Sequence, residues 1–91
     1  MIMGQVMGSL WATRKDNKLN GMAFLVVKPL SYAKEPVTRE YFVAADNAGA
    51  GIGDTVLVTT GSAARTSFAN GDVPVDAVIV GIVDSIEVTH D

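Results

Sequence analysis

A glycine-rich stretch holds the residue types in this chain whose spacing could support chemistry. Residues 46–65 read DNAGAGIGDTVLVTTGSAAR, and four of the nine glycines of the chain fall within them. Glycine is used where a backbone must adopt a positive φ or approach another group closely. The alternate positions of Gly49, Gly51 and Gly53 also predict a strand-like segment with one face free of side chains. Such a face could lie against a phosphate, a nucleotide or another protein chain.

The stretch does not match the known phosphate-binding loops. Asp54 occupies the position of the third glycine in GxGxxG, and no Gly-Lys-Ser/Thr follows as in a P-loop. A phosphate loop opens a helix whose N–H groups hold the anion, whereas the β-branched residues of Thr55–Thr60 predict a strand. Asp46 and Asp54 would also repel an anion. The sequence therefore argues against nucleotide binding.

Ser62 lacks the surroundings of a catalytic nucleophile. The GxSxG elbow needs glycine two residues before and after the serine, and those positions hold Thr60 and Ala64. The chain has one histidine and no cysteine, which leaves no thiolate site and no evident set of zinc ligands. Ser62 is instead predicted to be the N-cap of a short helical turn that includes Arg65. We expect no enzymatic activity, no cofactor and no metal.

The composition predicts one domain, residues 1–91, with more apolar surface than it can bury alone. Hydrophobic residues make up 48% of the 91 residues. A chain of this size buries only about 60–65% of the surface that its unfolded form exposes. No apolar run approaches the roughly 20 residues of a membrane-spanning helix, so we expect no membrane partner. The excess apolar surface predicts burial between subunits.

Charged side chains are distributed unevenly between the two halves of the sequence. Residues 1–40 carry six basic and three acidic side chains, which gives a net charge of +3. Residues 41–91 carry one basic and seven acidic side chains, which gives −6. This pattern fits either solvated loops or two complementary sides of the molecule, as a head-to-tail ring requires.

Five short strands and one helical turn predict an all-β fold. The predicted strands are residues 1–13, 22–30, 40–45, 55–60 and 77–83, and the predicted helical turn is residues 62–68. Asn20-Gly21 predicts a hairpin between the first two strands. Together these elements predict a small, closed or nearly closed five-stranded OB-like β-barrel, although the pattern does not define the strand order.

Three strand details are also predicted. The first strand has a bend and one shared face, formed by Ile2, Gly4, Val6, Gly8 and Leu10. Regular pairing of the second strand is expected to end at Lys28-Pro29. Residues 77–83 are apolar on both faces, and the barrel interior covers only the inner one. We therefore expect another subunit to cover the outer face of this strand.

An OB-like barrel leaves a second function to consider, the binding of single-stranded nucleic acid. That function requires a basic groove and aromatic side chains on which bases stack. The chain is acidic overall, with a net charge of −3, and its six aromatic residues form no clustered pattern. We expect no nucleic-acid partner and keep this function as the alternative.

Short blocks of residues in a fixed order and spacing run through nearly the whole chain. They are Gly8, Thr13, Leu25-Val26-Val27, Val43-Ala44-Ala45-Asp46, Gly49-Ala50-Gly51, Gly53-Asp54, Val56-Leu57, Gly61-Ser62, Ala64-Arg65, Pro74-Val75-Asp76-Ala77 and Val80-Gly81-Ile82-Val83-Asp84. In these blocks the sequence resembles the EutN/CcmL family of bacterial microcompartment vertex proteins, which includes carboxysome members. It departs mildly at Asn47-Ala48, where the family more usually has a hydrophobic residue followed by Val or Ile, and residues 31–39 are variable in the family.

The resemblance implies an OB-like barrel that assembles head-to-tail into a homopentamer. Such pentamers close the vertices of a polyhedral shell in the bacterial cytoplasm, and hexamers of a different fold form the facets. The expected partners are therefore copies of this chain and hexameric shell proteins. The resemblance also implies that the glycine stretch lies at subunit contacts. We expect the subunit interface to include Gly49, Gly51, Gly53, Asp54, Gly61, Ser62, Arg65, Asp76 and Gly81.

Arg65 has a further expected role within that interface. It is the only cation after Arg39, and a bidentate pair with a carboxylate would fix orientation as well as add binding energy. Asp76 and Asp46 are the predicted partners, either in the same subunit or across the interface.

Overall fold

Five strands and one short helix form the described part of the chain. The computed structural model describes residues 1–10, 21–31, 40–65 and 75–84, with only the backbone of Ser62 and Arg65. The elements are β1 (Ile2–Leu10), β2 (Ala23–Pro29), β3 (Phe42–Asp46), β4 (Thr55–Thr60), α1 (Ser62–Arg65) and β5 (Ala77–Ile82). Asn20, residues 11–13 of the predicted first strand and residues 66–68 of the predicted helical turn lie outside the described residues.

The five strands close into a barrel in the order β1-β2-β3-β5-β4. The β3–β5 pair is parallel, and the other four neighbouring pairs are antiparallel. The predicted all-β, five-stranded OB-like barrel is therefore confirmed. Closure gives each strand a partner on both sides, although β3 and β5 pair over two residues only, Ala45 with Val78 and Asp46 with Ile79.

The barrel interior is filled by small and β-branched side chains. Each strand contributes at least one buried residue, because alternate positions point inward. Apart from Leu25, these side chains are small or β-branched, which suits the narrow interior of a five-stranded barrel. The core residues are Val6, Leu25, Val27, Ala44, Val56, Val58 and Ile79.

A β-bulge in β1 contradicts the predicted single face of that strand. Val6 pairs with buried Val27, but the next pair joins Gly8 to half-buried Val26, so Met7 has no partner in the ladder. An extra residue reverses the alternation of side chains beyond it. Leu10 is consequently exposed rather than inside the barrel.

Pairing of β2 continues past the point where it was predicted to stop. Pro29 is buried and lies opposite Gly4 of β1, and the Leu30 N–H donates to the Met3 carbonyl at 2.9 Å. The prediction was wrong because proline lacks only its own N–H, and a ladder can continue on either side of that position. Lys28 points outward from this part of the barrel.

The outer face of β5 is covered in part by the same chain. Val78 is buried in a second cluster with Ala45 and with Ala64 of α1. The expectation that another subunit must cover the whole outer face was therefore wrong for the first half of β5. Val80, in the second half, remains exposed. Val80 is also the extra residue at a register shift, so Ile82 lies opposite buried Val56 and is exposed at the end of the strand.

Candidate subunit interface

The glycine-rich loop, residues 47–54, is held at its start by Asp46 at the end of β3. The backbone N–H of Ala48 donates to Asp46 Oδ1 at 3.0 Å, and that of Ala50 donates to Asp46 Oδ2 at 3.0 Å. Asp side chains stabilise turns in this way, by accepting hydrogen bonds from the backbone that follows them. Asp46 therefore sets the course of the first half of the loop.

The second half of the loop is fixed to β1 and to Asp54. The Gly53 N–H donates to the Val6 carbonyl at 2.8 Å, and the Val6 N–H donates to the Asp54 carbonyl at 2.9 Å. Within the loop, the Gly51 N–H donates to Asp54 Oδ2 at 2.8 Å. The Gln5 amide also reaches the Gly53 carbonyl at 3.4 Å. The loop is thus ordered within one subunit before any partner binds.

The glycines of the loop do not form the predicted strand with a bare face. Gly49 and Gly53 have φ of 77° and 94°, a left-handed backbone that breaks a strand and favours glycine. Local turn geometry explains these two residues without any partner. Gly51 differs, because its φ is not positive and an added Cβ would meet only Asp54 Oδ2, at 3.8 Å. Of the three glycines, only Gly51 is left for which close approach by another chain would explain the absence of a side chain.

A second group of the predicted interface residues meets near α1. The Gly61 N–H donates to the Asp76 carbonyl at 3.0 Å, and the Ala64 N–H donates to the Gly61 carbonyl at 3.1 Å. This places Gly61, Asp76 and the backbone of Ser62 and Arg65 together where β4 ends and β5 begins. The predicted pairing of Arg65 stays a prediction, and both oxygens of Asp46 are already engaged in the glycine-rich loop.

The two groups lie at opposite ends of β4. Six residues of strand separate Asp54 from Gly61, which corresponds to roughly 20 Å at about 3.3 Å per residue. Gly81 of β5 lies between the groups, opposite Leu57 of β4. The predicted interface residues therefore follow the β4–β5 side of the barrel from end to end. Their span suits one side of a standard protein interface, about 800 Å² per partner.

Exposed apolar side chains accompany this side of the barrel. Ile52, at the tip of the glycine-rich loop, is 70% exposed, and Val80 and Ile82 are exposed on β5. Met7, the bulged residue of β1, is exposed next to the Val6–Gly53 hydrogen bond. Exposed apolar residues along one side of a small protein make that side a candidate contact site.

Sequence reasoning missed two of these features. In the sequence analysis Asp46 was given no role in shaping the loop, although aspartate shortly before a glycine is a recognised turn signal. The sequence carries no signal that Ile52 is exposed, since an isoleucine between two glycines fits a buried strand position as well. Its exposure follows from the turn that those glycines form.

The described residues hold none of the groupings used for metal chemistry. Among residues 1–10, 21–31, 40–65 and 75–84, no three His, Cys, Asp or Glu side chains come together as metal ligands. In the same residues, every buried side-chain nitrogen or oxygen has a hydrogen-bond partner. No helix of this part of the chain is long and apolar enough to span a bilayer.

A closed barrel, a hydrogen-bonded surface loop and an apolar outer side define a small β-barrel domain suited to protein–protein contact. Comparisons with known proteins agree with this class. The family described as ethanolamine utilisation protein EutN/carboxysome matches residues 1–84. The chain belongs to the EutN/CcmL family.

Individual relatives cover almost the full length of the chain. The carboxysome shell vertex protein CcmL of Synechocystis sp. is 43% identical over 88 residues, which are 97% of this chain and 87% of CcmL. The bacterial microcompartment shell vertex protein GrpN of Rhodospirillum rubrum is 38% identical over 90 residues, 99% of this chain and 100% of GrpN.

A solved structure extends the comparison to three dimensions. The GrpN pentameric microcompartment shell protein of Rhodospirillum rubrum superimposes with a TM-score of 0.82, covering 99% of this chain and 100% of GrpN. The relatives are thus shell vertex proteins, and this structural neighbour is a pentamer. The comparisons give no support to the nucleic-acid-binding alternative.

Proposed function

We propose that this chain forms a homopentamer that closes the vertices of a bacterial microcompartment shell in the cytoplasm. The observation that carries the proposal is the full-length structural match to the pentameric shell protein GrpN. Five-fold rings supply the curvature that a sheet of hexamers lacks. The role is therefore geometric, and the protein acts as a structural component without catalytic chemistry.

The barrel is suited to this role by its rigidity and its surface. Closure leaves little free strand edge, which favours a defined ring of subunits over open-ended sheets. We place the interface on the β4–β5 side, where the glycine-rich loop and the α1 region lie at the two ends. The residues assigned to it are Gly49, Gly51, Gly53, Asp54, Gly61, Ser62, Arg65, Asp76 and Gly81.

Native mass spectrometry of the purified protein tests the pentamer. We expect a closed species of five chains of 9.5 kDa each, persisting at micromolar concentration. A monomer at that concentration would contradict the proposal, because the exposed apolar side chains would then have no partner.

Co-assembly with hexameric shell proteins tests the vertex role. Hexamers expressed alone are expected to form open sheets or tubes, and addition of this protein is expected to give closed polyhedra by electron microscopy. A matched preparation with a pentamer-deficient variant provides the control. Equally closed shells with and without the protein would overturn the vertex role and leave the pentamer standing.

A further inference from the structure

A second apolar surface lies on the outer side of β2 and β3. Val43 is 45% exposed and Tyr41, just before β3, is 55% exposed. Val43 lies opposite half-buried Val26 of β2, and exposed Lys28 follows two residues later on the same outer face. These four residues are called the β2–β3 surface. No part of the chain that the structure describes covers it.

The β2–β3 surface lies on a different side of the barrel from the second half of the glycine-rich loop. The loop begins at the end of β3, but Gly53 is hydrogen-bonded to Val6 of β1 and Asp54 leads into β4, and neither of these strands is next to β3. Each subunit of a head-to-tail ring must present two different surfaces, since the contact is heterologous. The loop and the β4–β5 side supply one of them. The β2–β3 surface has the location and the apolar character of the other.

Charge argues against a contact between two loop sides. Asp54 and Asp84 lie at the loop end of the β4–β5 ladder, where the Val83 N–H donates to the Thr55 carbonyl at 2.8 Å. Two such ends facing each other would bring four carboxylates together, and like charges across an interface are costly. The β2–β3 surface instead carries exposed Lys28, and exposed Glu40 directly precedes Tyr41 in the chain, so this region is close to neutral.

We propose that the β2–β3 surface receives the glycine-rich loop of the next subunit, with Ile52 packing against Val43 and Tyr41. The proposal rests on the homopentamer proposed above and identifies the surface that the β4–β5 side of each subunit contacts on its neighbour. Ile52 would lose most of its exposed surface on assembly. The Asp46 and Asp54 hydrogen bonds would lower the ordering cost, because the loop is already shaped.

The absence of cysteine from the sequence permits a direct cross-linking test. The double variant Val43→Cys/Ile52→Cys is treated with a short bismaleimide and run on a denaturing gel. We expect a ladder reaching five chains, because each ring contact would join one residue of each kind. Each single-cysteine variant should give no ladder beyond two chains. The pair Ser9→Cys/Ile52→Cys is the matched control, since Ser9 is exposed on β1 outside both surfaces.

Native mass spectrometry of the same samples separates the two proposals. A pentameric double variant that gives no ladder would overturn the β2–β3 assignment and leave the pentamer intact. A wild-type protein that is not pentameric would overturn the proposed function itself.

Charge substitution supplies an independent measurement with variants that remain folded by circular dichroism. Val43→Glu and Ile52→Glu should each lose the pentamer, because each puts an unpaired carboxylate into every contact of the ring. Lys28→Glu, at an exposed polar position, should weaken the pentamer at low salt. Ser9→Glu should remain pentameric. Pentamers from both the Val43 and the Ile52 variant would contradict the proposal.

Discussion

Asp46 Oδ2 accepts a hydrogen bond of 3.0 Å from the backbone N–H of Ala50, four residues further along the chain. Its Oδ1 accepts a second, also 3.0 Å long, from the N–H of Ala48. One side chain therefore shapes the segment that connects β3 to the glycine turn. Asp46 acts within its own subunit, and its effect on assembly would pass through the loop that it holds.

Replacement of Asp46 tests this role. Asp46→Ala removes both acceptors, and we expect a loss of about 1–3 kcal/mol in the free energy of unfolding. Hydrogen exchange at the Ala48 and Ala50 amides should accelerate more than exchange in the barrel strands. Asp46→Asn keeps one acceptor oxygen, so its free energy of unfolding should lie between those of the wild type and Asp46→Ala. Glu40→Ala, at an exposed position before β3, serves as the control, and unchanged exchange at both loop amides in Asp46→Ala would disprove the role.

Gly4 in β1 is expected to tolerate no side chain. An added Cβ would collide with Val27 Cγ1 and lie 2.9 Å from the Lys28 carbonyl oxygen, which belongs to the paired backbone. We predict that Gly4→Ala lowers the free energy of unfolding by about 1–3 kcal/mol, the cost of overpacking. Urea unfolding at one fixed protein concentration measures it, since ring formation makes stability depend on concentration.

Gly8→Ala is the matched control for that substitution. Both glycines lie in β1, but a Cβ at Gly8 would meet nothing within 4 Å. We expect the urea midpoint to be close to that of the wild type. Equal losses at the two positions would show that the effect belongs to glycine in a strand rather than to the packing of Gly4.

The strands were predictable where sequence pattern alone decides the structure. β4 has the predicted bounds, Thr55–Thr60. Its run of β-branched residues favours a strand over a helix, and Asp54 and Gly61 limit it at the two ends. Which residues of β1 face outward was not predictable, because the bulged residue Met7 reverses the inward and outward alternation of side chains beyond it. Nothing in the residue types of β1 indicates this bulge. Coverage of Val78 by Ala64 depends on how α1 packs back onto the barrel, which local sequence does not encode.

The geometry of the glycine-rich loop was not predictable from the sequence, and its place in a subunit interface stays a prediction. The spacing of Gly49, Gly51 and Gly53 suggested an extended segment, yet two of them have positive φ. Glycine at every second position fits a strand and a turn equally well, because glycine has no side chain to show which face of the segment is buried. The exposure of Ile52 and the hydrogen bonds of Asp46 depend on the path of the backbone through the loop, which the sequence pattern does not specify.

Ile79 is expected to contribute far more to folding than Ile82 of the same strand. Ile79 is fully buried in the barrel core, whereas Ile82 is 41% exposed. Ile79→Ala should cost about 2–5 kcal/mol, because it leaves a cavity among stiff β-branched neighbours. Urea unfolding of Ile79→Ala and Ile82→Ala at equal protein concentration compares them. A larger loss of stability for Ile82→Ala would mean that burying Ile82 in the assembly stabilises the protein more than burying Ile79 in the barrel core.

Gly51 separates folding from assembly, because nothing in the described part of the subunit requires glycine at this position. Its φ is not positive, and the closest atom to an added Cβ is Asp54 Oδ2 at 3.8 Å, an ordinary contact. We therefore expect Gly51→Val to fold, with a far-ultraviolet spectrum like that of the wild type. Native mass spectrometry should show loss of the five-chain species, since a branched side chain would hold the neighbouring subunit away. Ser9→Val adds the same side chain at an exposed position of β1 and should remain pentameric. A pentamer from folded Gly51→Val at wild-type concentration would remove close approach as the reason for this glycine and would place the subunit contact elsewhere on the β4–β5 side.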